Sequence, residues 1–145
     1  MGVRMTSSMP TIRSFMTACP HTVGVDQSVA AAHTVLYEHR IRQLPVLNDG
    51  HLAGLLSDRD LALIALLRDV DPHAIKVEEV MSLSLYKVSP EAPLDQVARE
   101  MATKKHGAAV VVENDTVVGI FTTIDVCAAL ASVLSLSHPS FTNAS

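Results

Sequence analysis

The sequence has few aromatic residues and no excess of basic charge, and each shortage excludes a class of partner. Aromatic side chains make up 3% of the 145 residues and tryptophan is absent, so the stacked aromatic platforms of single-stranded nucleic-acid binders are not expected. Lys and Arg number 11 against 15 Asp and Glu, which gives a net charge of −4. Because nucleic-acid-binding domains usually carry a basic stripe, we expect no nucleic-acid polymer as a partner.

Cysteine and long apolar runs are also scarce. Cys19 and Cys127 are the only two cysteines, too few for a disulfide framework or a structural zinc site, and two reduced thiols are typical of a cytoplasmic protein. The apolar segments 61–67 and 126–136 are shorter than the roughly 18 residues of a membrane helix or are broken by serine. Residues 1–10 contain no apolar run of signal-peptide length. We therefore predict a cytoplasmic protein with no membrane segment.

What the sequence does contain is an internal repeat. Displaced by 65 residues, it matches itself without a gap, and apolar positions fall on apolar ones. Identical pairs are Met16 and Met81, Val23 and Val88, Val46 and Val111, Gly54 and Gly119, and Asp60 and Asp125. The chain is therefore two copies of one unit. We predict a disordered segment at 1–10, repeat 1 at 11–68, a linker at 69–76, repeat 2 at 77–134 and a tail at 135–145.

Each copy predicts the element order β-α-β-β-α. Ser28 suits the N-cap of the first helix in copy 1, and Pro93 suits the first turn of its counterpart in copy 2. A hairpin follows in each copy, with turns at 48–50 and 113–115. One unit has a single small sheet and cannot bury both of its helices, so we expect the copies to pack together. The second helices are predicted over 60–67 and 125–134.

A Ser/Thr-x-x-Asp motif precedes each second helix, as Ser57 with Asp60 and as Thr122 with Asp125. The hydroxyl would cap the helix and donate to a phosphate oxygen, since free N–H groups at a helix N-terminus favour anions. The carboxylate one turn later can accept two hydrogen bonds at once, as the two hydroxyls of a ribose require. A single such motif is also an ordinary capping box. Two copies in register favour nucleotide binding.

Three strings resemble the cystathionine β-synthase (CBS) domain: Ile41-Arg42-Gln43-Leu44-Pro45-Val46-Leu47, the segment 54–61 (GLLSDRDL) and the segment 119–126 (GIFTTIDV). Two such domains in tandem resemble a Bateman module, and the resemblance covers about 120 of the 145 residues. It implies an α+β fold in which two β-α-β-β-α repeats pack about a pseudo-twofold axis. It also implies a regulatory protein that binds an adenosine-containing ligand (AMP, ADP or ATP), forms homodimers and requires no cofactor. Since the two repeats fill most of the 145 residues, we expect no fused enzyme and a separate effector protein.

The resemblance further implies two clefts, because in the family the Ser/Thr-x-x-Asp motif of one repeat faces the first and second strands of the other. Cleft A, with Ser57 and Asp60, would be closed by Lys87, Val88, His106, Gly107, Ala108 and Val110. Cleft B, with Thr122 and Asp125, would be closed by Thr22, Val23, Ile41, Arg42, Gln43 and Pro45. Arg42 has no basic counterpart in copy 2, where Gly107 stands. Since arginine binds phosphate bidentately, cleft B is predicted to bind polyphosphate better.

Other functions remain open on the residues alone. The seven histidines lack metal-ligand spacing, and no nucleophile elbow or P-loop is present, so we expect neither a metal site nor an enzyme. The main alternative is a ligand-free dimeric interaction module. A third hypothesis is redox sensing by Cys19 and Cys127. In the interaction module, a partner would contact Leu63, Leu66, Leu67, Leu130 and Leu134 of the second helices.

Overall fold

The structure, a computed structural model, describes residues 9–137 and contains the predicted element order in both copies. Short 3-10 helices at Ile12–Ser14 and Val77–Glu79 begin the two copies. The α+β fold of two β-α-β-β-α repeats is confirmed. In chain order the other elements are β1 (Thr17–Ala18), β2 (Val23–Gly24), α1 (Val29–His39), β3 (Gln43–Asn48), β4 (His51–Ser57), α2 (Asp58–Ala65), β5 (Lys87–Val88), α3 (Leu94–Lys104), β6 (Ala108–Glu113), β7 (Thr116–Thr122) and α4 (Thr123–Ser137).

The helix ends show where local sequence signals were sufficient. Ser28 caps α1 as predicted, its Oγ accepting a hydrogen bond from the Ala31 N–H at 3.0 Å. Pro93 is the N-cap of α3 instead of its first helical residue. Helix α4 continues to Ser137, into the segment predicted as a tail. The disorder predicted for the N-terminus and the rest of the tail concerns mainly residues 1–8 and 138–145, which lie outside the described residues.

The strands form two sheets. A three-stranded sheet of copy 1 has the order β2-β3-β4, and a four-stranded sheet has the order β1-β7-β6-β5, in which β1 comes from copy 1 and the other strands from copy 2. The strand before the first helix of each copy, β2 or β5, runs parallel to the strand after that helix, and the hairpin that follows is antiparallel. The hairpin turns place Asp49 and Gly50 at φ 52° and 83°, and Asn114 and Asp115 at φ 52° and 65°. Two central residues with positive φ are typical of a type I′ turn, which follows the twist of the strands.

The start of each copy packs on the other copy. Ile12 is fully buried in the core of copy 2, and the strand that follows it, β1, pairs with β7. In the same way Val77 is buried in the core of copy 1, and Ser82 exchanges two backbone hydrogen bonds with Leu55 of β4, at 3.0 and 2.8 Å. We call residues 12–18 and 77–82 the crossing segments. Because of them, the folded units do not coincide with the sequence repeats.

Both faces of each sheet are covered. One face packs on the helices of its own unit, with Val46 in one core and Val111 in the other. Residues of the opposite face, such as Val110 and Ile120, are also buried. Since β4 and β7 contact each other, these second faces pack together between the repeats. The interface expected from the small size of one unit is therefore present.

Two glycines allow the crossing segments to lie close to the sheets. A Cβ on Gly54 would lie 2.5 Å from the Sδ of Met81, and a Cβ on Gly119 would lie 2.5 Å from the Sδ of Met16. Real Cβ atoms do not come so close to another heavy atom. Both positions are therefore glycine because a methionine of the other copy covers the strand there.

Candidate functional site

The Ser57 motif joins β4 to α2. The Oγ of Ser57 accepts a hydrogen bond from the Asp60 N–H at 3.2 Å, and Oδ2 of Asp60 accepts one from the Ser57 N–H at 3.0 Å. This reciprocal arrangement is a capping box. Both residues are half-buried, and Oδ1 of Asp60 has no hydrogen-bond partner among residues 9–137. The motif therefore stabilises the helix and still leaves one carboxylate oxygen for a ligand.

The Thr122 motif has the same spacing but a different hydrogen-bond pattern. Oδ2 of Asp125 accepts two hydrogen bonds from Thr122, one from its N–H at 2.9 Å and one from its hydroxyl at 3.2 Å. Oδ1 accepts a third from the hydroxyl of Thr17 at 3.1 Å. Both carboxylate oxygens of Asp125 are therefore engaged within the chain.

The N-terminus of α2 has little remaining capacity for an anion. The Asp58 N–H donates to the carbonyl of Arg42 at 3.0 Å, and the Asp60 N–H donates to Ser57. The first turn of α2 also carries the carboxylates of Asp58 and Asp60, whereas the first turn of α4 carries that of Asp125. At α2 the geometry favours the ribose role predicted for Asp60 over the phosphate role predicted for Ser57.

One residue predicted for each cleft, Gln43 for cleft B and Gly107 for cleft A, meets the other where the repeats pack together. Gln43 lies opposite Ser57 in the β3–β4 pairing, and Ala108 lies opposite Thr122 in the β6–β7 pairing. The Nε2 of Gln43 lies 3.0 Å from the position that a Cβ on Gly107 would take. Gln43 and Gly107 were predicted for different clefts, and the structure makes them neighbours. The residue sets predicted for clefts A and B are therefore in contact at this point.

Exposure divides the other predicted residues into those that a ligand can reach in this conformation and those that it cannot. The buried group is at most 3% exposed, so its side chains are not presented to solvent. The buried residues are Val23, Pro45, Ala108 and Val110, the half-buried ones are Thr22, Ile41, Gln43, Val88 and His106, and the exposed ones are Arg42, Lys87 and Gly107.

Two concavities of the surface lie away from the motifs. One, of about 410 Å³, is lined by residues 22–27 and 47–50 and so includes Thr22 and Val23. It lies at the turn end of β3, whereas Gln43 is at the other end. The second, of about 510 Å³, is lined by residues 36–38 and Arg40 at the end of α1. The ligand site predicted at the motifs therefore does not coincide with either concavity.

Aromatic stacking at the strand starts was not predicted. The rings of Tyr86 and His106 stack with centroids 5.0 Å apart, and those of His21 and His39 stack at 3.6 Å. Burial raises the pKa of the Tyr86 hydroxyl, and the nearby carboxylate of Glu100 adds to the effect. The stacking contact with Tyr86 positions the ring of His106, one of the residues predicted for cleft A. The partners are distant in sequence, and no spacing pattern marks them.

The described part of the chain gives little support for other chemistry. Among residues 9–137, no group of three or more His, Cys, Asp or Glu side chains is arranged to hold a metal ion. Cys19 and Cys127 are exposed free thiols, so redox sensing stays a hypothesis. No helix within this range is long and apolar enough to cross a membrane.

Comparisons with known proteins identify the family. The CBS domain model matches residues 12–66 and 77–132. The CBS domain-containing protein YhcV of Bacillus subtilis is 30% identical over 112 residues, which are 77% of this chain and 79% of that protein. Among solved structures, Vibrio cholerae AcuB superposes with a TM-score of 0.81 at 28% identity, over 91% of this chain and 98% of that one. CBSX2, solved in complex with AMP, gives 0.74 at 27% identity, over 85% and 97%. The chain therefore belongs to the CBS domain family, and its two CBS domains form a tandem Bateman module.

Proposed function

We propose that this chain is a cytoplasmic regulatory protein that binds AMP, ADP or ATP in clefts A and B and signals to a separate effector protein. The observation that supports this proposal most directly is the pair of equivalent carboxylates, Asp60 and Asp125, each at the start of a second helix. The similarity to CBSX2, a protein solved with AMP, supports the same ligand class. The proposal includes no catalytic step and no required cofactor.

Each part of a nucleotide has a proposed contact. The ribose hydroxyls donate to Asp60 or Asp125, because a carboxylate accepts from both hydroxyls of a diol. The phosphates contact the exposed basic side chains of Arg42 and Lys87, since the N–H groups of α2 are largely used within the chain. The adenine lies against the strand starts near Gly107, as the family resemblance implies.

Calorimetric titration of AMP, ADP and ATP against carboxylate variants tests this proposal. Asp60→Asn keeps an oxygen that can accept the Ser57 N–H, so the helix cap survives while the charged ribose acceptor is lost. We expect the affinity of cleft A to fall roughly 10- to 100-fold, which corresponds to the loss of one hydrogen bond to a charged group. Asp125→Asn should weaken cleft B in the same direction.

Asp58→Asn is the matched control, because Asp58 is exposed, lies in the same helical turn as Asp60 and has no proposed role with the ribose. We expect it to bind AMP as well as the wild type does. The proposal is wrong if the Asp60→Asn, Asp125→Asn double variant binds all three nucleotides as tightly as the wild type.

We also propose that the chain forms a homodimer through the apolar faces of α2 and α4. These equivalent helices expose leucines to solvent, including Leu63 at 59% and Leu130 at 57%. Sedimentation should show that Leu63→Glu with Leu130→Glu dissociates the dimer. Leu83→Glu should not, because Leu83 is 73% exposed but lies outside both helices. A wild-type protein that is monomeric at micromolar concentration would contradict the proposal.

The second candidate function is a ligand-free interaction module, and the same exposed leucines favour it. Thermal unfolding with AMP, ADP and ATP at millimolar concentration separates the two functions, since a ligand that binds the folded state raises the melting temperature. An unchanged melting temperature with all three nucleotides favours the interaction module.

A further inference from the structure

We infer that the two clefts are unequal: Asp60 in cleft A is ready to accept a ribose, while the hydroxyl of Thr17 occupies Asp125 in cleft B. The inference rests on the proposed function, because it states which cleft takes the ligand first. It follows from hydrogen bonds that differ between two motifs of identical spacing.

The difference can be counted in acceptor sites. An ionised carboxylate offers about four lone-pair sites. Asp60 uses one of them, for the Ser57 N–H, and so keeps about three. Asp125 uses three, for two donors of Thr122 and one of Thr17, and so keeps about one. A ribose diol donates two hydrogen bonds, so it fits Asp60 directly, whereas at Asp125 a donor of the chain must first leave.

Thr17 is the donor that can leave. The N–H of Thr122 is part of the backbone, and its hydroxyl belongs to the motif itself. Thr17 is an exposed residue of the short strand β1, and rotation of its side chain releases Oδ1 of Asp125. The hydroxyl of Thr17 therefore competes with a ligand for Oδ1 of Asp125, but it does not block this oxygen permanently.

The pseudo-equivalent residue in the other crossing segment is Ser82, and it does not make this contact. Thr17 pairs with Ile120 of β7, and Ser82 pairs with Leu55 of β4, so the two residues occupy equivalent positions in the backbone pairing between copies. The Oγ of Ser82 accepts a hydrogen bond from the Ser84 N–H at 3.2 Å. Ser82 is thereby engaged in a local turn, and no bond joins it to Asp60.

The backbone at the equivalent position of copy 1 is bonded differently. Cys19 stands where copy 2 has Ser84, and its N–H donates to the carbonyl of Val118 at 3.1 Å. That N–H is not directed at Thr17, and the hydroxyl of Thr17 donates to Oδ1 of Asp125. The asymmetry of the clefts thus comes from the crossing segments, although the Ser/Thr-x-x-Asp motifs themselves are matched.

Titration of AMP into variants with a single working cleft tests the inference. In an Asp60→Asn background, which leaves cleft B to bind, Thr17→Val removes the hydroxyl and keeps the β-branched shape that suits a strand. We expect AMP to bind cleft B about three- to tenfold more tightly, because the hydrogen bond of an exposed hydroxyl, which has only the ordinary net strength, no longer competes. Thr17→Ser keeps a hydroxyl and should match the background variant.

The matched control is Ser82→Ala in an Asp125→Asn background, which should leave the AMP affinity of cleft A unchanged. Should Thr17→Val fail to fold, Thr17→Ala in the same background carries the same expectation. Unchanged or weaker AMP binding after the loss of the Thr17 hydroxyl overturns the inference and leaves the proposed function standing. Absence of AMP binding in the wild type defeats the proposed function, and the inference with it.

Discussion

Replacing Gly54 by alanine tests how tightly the second crossing segment holds copy 1. A Cβ on Gly54 would lie 2.5 Å from the Sδ of Met81, 2.9 Å from its Cγ and 3.0 Å from the carbonyl oxygen of Ser82. The thioether of Met81 can move by rotating about its side-chain bonds. The Ser82 carbonyl cannot move freely, because it accepts the Leu55 N–H. Part of the strain therefore remains unless that pairing lengthens.

The expected cost follows from two opposing terms. An added methyl group in a filled space costs roughly 1–3 kcal/mol. Alanine recovers about 0.5–1 kcal/mol relative to glycine, since it loses less backbone freedom on folding. The free energy of unfolding should therefore fall by about 0.5–2 kcal/mol. For a chain of this size, that lowers the melting temperature by roughly 2–6 °C.

Thermal unfolding at fixed protein concentration measures the effect, and Gly107→Ala is the control. A Cβ on Gly107 would meet the Nε2 of Gln43 at 3.0 Å, the end of a flexible side chain. We expect a change of less than about 0.5 kcal/mol there. The combination of Gly54→Ala with Met81→Ala should lose less than the sum of the single losses, because the two groups compete for one space. A Gly54→Ala protein as stable as the wild type would refute the reasoning.

Two further predictions concern capping and pH. Ser28→Ala removes the oxygen that accepts the Ala31 N–H at the start of α1, so urea unfolding should show a loss of about 1 kcal/mol, and an unchanged midpoint would contradict it. Hydrogen bonds from His73, first from its backbone N–H and then from its ring, lower the pKa of Asp71. NMR titration should show that His73→Ala raises this pKa part of the way back, and an unmoved pKa would count against the ring contact. Since the lowered pKa belongs to the folded state, the stabilisation from Asp71 is present above the ordinary aspartate pKa and disappears as the pH falls through the folded value.

Most of the fold follows from signals that the sequence shows directly. The hairpin turn at Asp49-Gly50 and the cap at Ser28 each depend on neighbouring residues, the repeat is found by comparing the sequence with itself, and all three appear as predicted. The crossing of the segments was not predictable in this way. A repeat shows that two copies are alike, but it does not show whether Ile12 enters its own core or that of the other copy.

The site was predictable only in part, for a related reason. The spacing identifies Asp60 and Asp125, since each lies one turn into a helix. Their surroundings depend on contacts between copies, so no pattern in the sequence indicates that Thr17 lies beside Asp125. Val110 was predicted to line cleft A and is fully buried. Both faces of its strand are covered, and an almost continuous apolar run does not show which face a ligand can reach.

The crossing segments also bear on how a bound nucleotide would produce a signal. A ligand shifts a conformational equilibrium only if it binds the two states unequally. On the inferred inequality, Asp60 accepts a ribose as it stands, so occupation of cleft A distinguishes little between conformations, whereas occupation of cleft B requires Thr17 to leave Asp125. Thr17 lies on β1, which pairs with β7 and follows the buried Ile12. On the inferred inequality, cleft A supplies the tighter AMP binding, while cleft B couples binding to the segment that joins the two units.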